Sequence, residues 1–93
     1  MDLQLNDKTA FVSGSTQGIG YGIAKQLLAE GATVIINGRT MERIDQAVIK
    51  LKTEIPGAQV TGLAADFANK EDVSRLINNL PDIDILVNNA GIF

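Results

Sequence analysis

Ala10-Phe11-Val12-Ser13-Gly14-Ser15-Thr16-Gln17-Gly18-Ile19-Gly20 constrains the fold of this chain more than any other stretch. A short apolar run stops at a glycine, small polar residues and two further glycines follow, and a helical pattern opens at Ile19. A strand that turns through glycines into a helix start leaves free backbone N–H groups at the positive end of a helix dipole. That arrangement binds anions, phosphates among them.

The rest of the chain repeats the alternation. Thr9-Ala10-Phe11-Val12 reads as a buried strand. Ile19, Ile23, Leu27 and Leu28 share one helical face, ended by Glu30-Gly31 with Gly31 as a left-handed cap. Thr33-Val34-Ile35-Ile36 is β-branched and unbroken, a strand covered on both sides. Thr40 caps a helix with Met41, Ile44, Ala47, Val48, Leu51 and Ile55 on one stripe, closed by Pro56-Gly57. Gln59-Val60-Thr61-Gly62-Leu63 is a third strand. Asn69 caps a helix carrying Val73, Leu76, Ile77 and Leu80, with Asp72 near its positive end, and Pro81-Asp82 breaks it. Ile83-Asp84-Ile85-Leu86-Val87 is a fourth strand.

The order β-α-β-α-β-α-β predicts an α/β fold of the Rossmann-like, doubly wound type. Its sheet is parallel, with right-handed crossovers and strand order 3-2-1-4, and incomplete in extent. Residues 1–93 form one unit. Ser13-Gly14, Asn37-Gly38-Arg39, Ala65-Asp66-Phe67 and Asn88-Asn89-Ala90-Gly91 all fall at the carboxyl ends of strands, where such sheets bind ligands.

Composition removes several function classes. There is no Cys and no His, so disulfides, thiolate or imidazole metal sites and imidazole catalysis are excluded. The net charge of −3 argues against nucleic acid as a partner. No apolar run reaches the roughly 18 residues of a membrane span, and residues 1–6 lack the features of a secretion signal, so the expected location is cytoplasmic.

The glycine spacing is Gly14-x-x-x-Gly18-x-Gly20, not the general dinucleotide fingerprint, because Thr stands at position 16. Gly14 suits a tight turn, Gly18 a close ligand approach, and Gly20 close helix packing. Taken alone, the three glycines also fit a purely structural turn. Ser13-Gly14-x-x-x-Gly18-Ile19-Gly20 followed by Asn88-Asn89-Ala90-Gly91 resembles the N-terminal half of a short-chain dehydrogenase/reductase, from Lys8 to Gly91. Ser13 replaces the family's usual Thr and keeps its hydroxyl.

The resemblance implies a cofactor site. Gly14, Ser15, Thr16, Gln17, Gly18, Ile19 and Gly20 would surround the phosphates and ribose. Asp66 would bind the adenine amino group with Phe67 alongside, and Asn89, Ala90 and Gly91 would lie beneath the cofactor. Asn88 would steady the central sheet. Asp66 also fits a solvated loop carboxylate, and the Asn pair fits turn chemistry.

The end of the second strand bears on the cofactor. An acid there would favour a ribose 2′-hydroxyl. Asn37 and Gly38 are not acidic and Arg39 follows, so NADP(H) is favoured over NAD(H), with Arg39 on the 2′-phosphate. Arg39 also fits a solvated helix-entry residue, or one stacked on adenine.

Tyr21-Gly22-Ile23-Ala24-Lys25 has the family's catalytic Tyr-x-x-x-Lys spacing but lies in the wrong helix, with Lys25 expected to face solvent. No catalytic and no metal-binding residue is assigned. The resemblance places the catalytic Ser, Tyr and Lys beyond Asn-Asn-Ala-Gly. The chain therefore reads as the cofactor-binding half of an NADP(H)-dependent oxidoreductase acting on a small-molecule carbonyl or alcohol, inactive alone. A non-catalytic nucleotide-binding or regulatory module, or an inactive fragment, is the alternative. The fourth strand is expected to be an open apolar edge through which the chain self-associates as a homo-oligomer.

Overall fold

The computed structural model describes residues 4–90. The elements are β1 (Thr9–Val12), α1 (Gly18–Ala29), β2 (Thr33–Gly38), α2 (Met41–Glu54), β3 (Val60–Ala64), α3 (Lys70–Asn79) and β4 (Ile85–Val87). They form a four-stranded sheet of order β3-β2-β1-β4 in which every pairing is parallel. The predicted architecture and order are both observed.

Side chains alternate across the sheet and so divide the core in two. Ala10, Val12, Val34, Ile36 and Val60 face α1 and α2, where Ala24, Leu28, Ile44, Ala47 and Leu51 meet them. Phe11 and Ile35 face the other way, against Leu76 of α3, with Leu63, Phe67, Leu80 and Ile83 packed around them. Phe11, Ile36, Ile44 and Leu51 are fully buried, each contributing roughly 1.5–3 kcal/mol.

Three strands are bounded differently from the sequence reading. β2 runs two residues further, because Asn37 and Gly38 find register partners in Leu63 and Ala64. β3 correspondingly starts at Val60. β4 starts at Ile85 rather than Ile83, because Asp84 turns aside. Its carboxylate accepts the Thr9 N–H (2.9 Å) while its own N–H donates to the Thr9 carbonyl (2.8 Å). Ile83 packs into the second core instead.

The helix ends follow local chemistry. The Thr40 hydroxyl accepts from the Arg43 N–H, and the Asn69 side chain accepts from the Glu71 and Asp72 N–H groups. Beyond Glu30, Gly31 has φ +97°. α1 begins differently: its N-cap Gln17 makes no side-chain cap bond, and no acid lies in the first turn.

Candidate cofactor site

The carboxyl ends of β1, β2, β3 and β4 converge on one cavity of about 460 Å³. Gly14, Thr16 and Gln17 line it from the glycine loop, Asn37, Gly38 and Arg39 from the end of β2, and Arg43 from the first turn of α2. Ala65, Asp66, Phe67 and Ala68 come from the segment after β3, and Ala90 from the turn after β4. Seven residues expected at a ligand meet here: Gly14, Thr16, Gln17, Arg39, Asp66, Phe67 and Ala90.

The remaining expected residues stand in different relations to the cavity. Gly18 and Ile19 are exposed at the start of α1, and Ile19 is 78% exposed. With no side-chain cap and no acid in its first turn, this helix start offers its first-turn N–H groups to an anion. Gly20 is buried, and a Cβ there would stand 2.5 Å from the Gly14 carbonyl oxygen and 2.7 Å from Asn89 Nδ2. Only glycine lets α1 start this close to the loop. Asn89 donates through Nδ2 to that same Gly14 carbonyl (3.0 Å), tying the β4 turn to the loop. Gly91 lies outside the described residues.

Ser15, expected at the ligand, lies behind the loop and is fully buried. Its N–H donates to the Asn37 carbonyl (2.8 Å), and its hydroxyl donates to the Val12 carbonyl (2.7 Å) while accepting the Asn37 N–H (2.9 Å). Asn37 answers in kind, at 1% exposure. Its Oδ1 accepts the Gly14 N–H (3.0 Å) and its Nδ2 donates to the Leu63 carbonyl (3.0 Å). The glycine loop is therefore bonded from its inner side to β1 and β2, and Asn37 carries the link on to β3. Ser13 ties it to β4: its N–H donates to the Val87 carbonyl (3.1 Å), and its hydroxyl accepts the Ala90 N–H (3.0 Å).

Asp66 is held at the opposite wall. Its Oδ1 accepts the Ala68 N–H (3.0 Å), and its own N–H donates to Asp72 Oδ2 (3.0 Å). Asp72, expected to favour the start of α3, thus also fixes the loop before it, and pairs with Arg75.

Sequence reasoning missed Arg43 and Ala68 as lining residues. For Arg43 the available signal was its spacing, four residues after Arg39 and one helical turn beyond the Thr40 cap.

The Tyr-x-x-x-Lys spacing in α1 is turned away from the cavity. The Tyr21 hydroxyl donates to Glu54 at the end of α2, and Lys25 pairs with the same carboxylate at 3.0 Å rather than standing free in solvent. Lys50 sits 4.9 Å over the Tyr21 ring. Burial and the Glu54 carboxylate push the phenol up to about 12, and the Tyr21 and Lys25 hydrogen bonds hold Glu54 below its usual value. This is a brace between two helices. Among the described residues no group of acids, His or Cys could hold a metal ion, and no helix is long and apolar enough to cross a membrane.

A doubly wound parallel sheet with a glycine loop, an uncapped helix start and a cavity at its carboxyl edge defines a Rossmann-like α/β protein. The sequence profile of the short chain dehydrogenase family matches residues 8–93, and the chain belongs to that family of oxidoreductases. It is 48% identical over 93 residues to the uncharacterized oxidoreductase YvaG of Bacillus subtilis, covering 100% of this chain and 35% of that protein. A solved short chain dehydrogenase/reductase family protein superposes with a TM-score of 0.84 at 41% identity, over 98% of this chain and 37% of its own. L-sorbose reductase from Gluconobacter frateurii, solved with NADPH and L-sorbose, superposes with a TM-score of 0.83 at 34% identity, over 96% and 35%. The chain thus spans about a third of the length of the relatives it matches.

Proposed function

We propose that the chain is the cofactor-binding part of an NADP(H)-dependent oxidoreductase that interconverts a small-molecule carbonyl and alcohol. The observation that carries the NADP(H) assignment is the end of β2. An acid selecting an unphosphorylated ribose would stand at position 37 or 38. Position 37 is filled by a buried amide whose Nδ2 is bonded to the Leu63 carbonyl. Position 38 is tight, since a Cβ there would stand 2.5 Å from Thr16 Cγ2 and oblige that side chain to shift. The first side chain free to enter the cavity is Arg39, a cation. The NADPH bound by the sorbose reductase accords with this reading.

The chain's own residues supply binding and orientation. The first-turn N–H groups of α1 hold the diphosphate, with Thr16 and Gln17 beside it. Arg39 takes the 2′-phosphate, Asp66 and the Phe67 backbone the adenine edge, and Asn89 and Ala90 the underside. Ser15 and Gly20 act by keeping the loop in shape. The nicotinamide supplies hydride chemistry when bound. None of the described residues is assigned a catalytic role.

The test is fluorescence titration of the protein with NADPH and NADH. A charge-assisted hydrogen bond to phosphate is worth about 1.5–3 kcal/mol, so NADPH is expected to bind roughly tenfold tighter or more. Arg39→Asp removes that preference. Equal affinity for the two cofactors in the unaltered protein overturns the assignment.

A further inference from the structure

Arg43 is the one charged lining residue of the cavity that the assignment above leaves unused. It stands at the third position of α2, where its backbone N–H is taken by the Thr40 cap and its side chain is exposed. It also borders a second cavity of about 340 Å³, which it lines together with Thr16, Gln17, Gln46, Ala47 and Lys50. The two cavities therefore meet at Thr16, Gln17 and Arg43, with Arg39 in the first beside that seam.

Charge makes this seam unusual. Among the described residues, neither Arg39 nor Arg43 has a carboxylate within ion-pair distance, although Glu42 is adjacent in sequence and Asp66 lines the far wall. Two guanidinia thus border one space, with no carboxylate of the described residues in ion-pair contact with either. Arg43 is moreover a cation in the first turn of a helix, where the helix dipole opposes positive charge. A residue placed against the local rule marks a site whose compensation comes from a ligand. The other cation of the second cavity, Lys50, is engaged by the Tyr21 ring.

We infer that Arg43 is a second specificity-determining guanidinium, closing with Arg39 on the 2′-phosphate of the cofactor's adenosine half. The inference rests on the NADP(H) reading and extends it to a residue on a different element. Two planar forks approaching from β2's end and from α2 match a phosphate with three free oxygens. Arg43 then discriminates between cofactors without touching the reacting atoms.

The probes are 2′,5′-ADP and 5′-AMP, which differ only in the 2′-phosphate, titrated calorimetrically against the protein. The unaltered protein is expected to prefer 2′,5′-ADP, and Arg43→Ala to cut that preference roughly tenfold or more with 5′-AMP affinity unchanged. Arg43→Lys restores part of it, because an ammonium keeps the charge and loses the fork. The preference of the unaltered protein falls as salt rises. Circular dichroism and the unfolding midpoint of Arg43→Ala stay at or above those of the parent, since a charge opposed by the dipole has gone.

A preference retained in Arg43→Ala but lost in Arg39→Ala overturns the role of Arg43 and leaves the cofactor reading standing. Equal weakening of both probes by Arg43→Ala also overturns it, since Arg43 would then only shape the wall. No preference in the unaltered protein overturns the cofactor reading itself, before any variant is made.

Discussion

Replacing Asn37 by Asp exchanges one NH₂ group for an oxygen, in a side chain that is 1% exposed. The remaining oxygen can still accept the Gly14 N–H, so that bond is kept. The Nδ2 bond to the Leu63 carbonyl (3.0 Å) is lost, and two acceptors now face each other. A buried acceptor left without its donor costs about 1–3 kcal/mol, and an ionised carboxylate in that place adds desolvation. At pH 7 the expected destabilisation is about 2–4 kcal/mol. For a chain of this length that is a large share of a total stability of roughly 5–14 kcal/mol.

The pH dependence separates this account from a general packing defect. Burial raises the folded-state pKa of the new acid above its unfolded value of about 3.9. The penalty is therefore small below about pH 4, where the protonated carboxyl can donate to the Leu63 carbonyl. It grows as pH rises from the unfolded toward the folded value. Urea denaturation followed by circular dichroism measures both limits. With a slope of about 1–3 kcal/mol per molar, the midpoint at pH 7 drops by roughly 1–2 M and recovers toward the parent at pH 4. A variant as stable as its parent at pH 7 would show that the amide is not sealed between β2, β3 and the loop. An equal loss at both pH values would refute the role given to the carboxylate.

Two further outcomes are expected. Tyr21 is the chain's only tyrosine, so absorbance near 295 nm reports its ionisation alone. Its midpoint is expected at about 12, and Glu54→Gln moves it back toward 10. Because the folded pKa is the raised one, the unfolded chain loses its phenol proton first and stability declines between about pH 10 and 12. A midpoint near 10 in the unaltered protein would remove the brace. Leu86 is 57% exposed on β4, which pairs only with β1 among the described residues. Sedimentation is expected to show dimers of the protein, and Leu86→Lys to yield monomers, since a charge on an edge strand blocks pairing; monomers throughout at micromolar concentration would refute edge pairing.

Much of this fold was legible because each element carried a local signature. The β-branched run at 33–36, the caps Thr40 and Asn69, and the stop at Gly31 depend on neighbours in sequence, and alternation then dictates a parallel sheet. The candidate site was legible where glycines and polar residues sat at strand ends. What escaped depends on direction in space. Ser15 and Asn37 are small polar residues in ligand-facing segments, and nothing in their spacing says that both turn inward to bond each other. Arg43 looked like an ordinary surface cation, and only the crossing of α2 over the end of β2 brings it to the cavity. The aside taken by Asp84, which shortens β4, needed the Thr9 backbone as partner, 75 residues away in sequence.

The inward bonding of the glycine loop has a consequence for how affinity can evolve. The tethers on Gly14 and Ser15 run to β1, to β2 and to the turn after β4, so the surface offered to a coenzyme is set before the coenzyme arrives, and little ordering remains to oppose capture. A change at a side chain outside the cavity, such as Ser15, would therefore register as weaker coenzyme retention. A survey confined to residues touching the coenzyme would overlook where its grip originates.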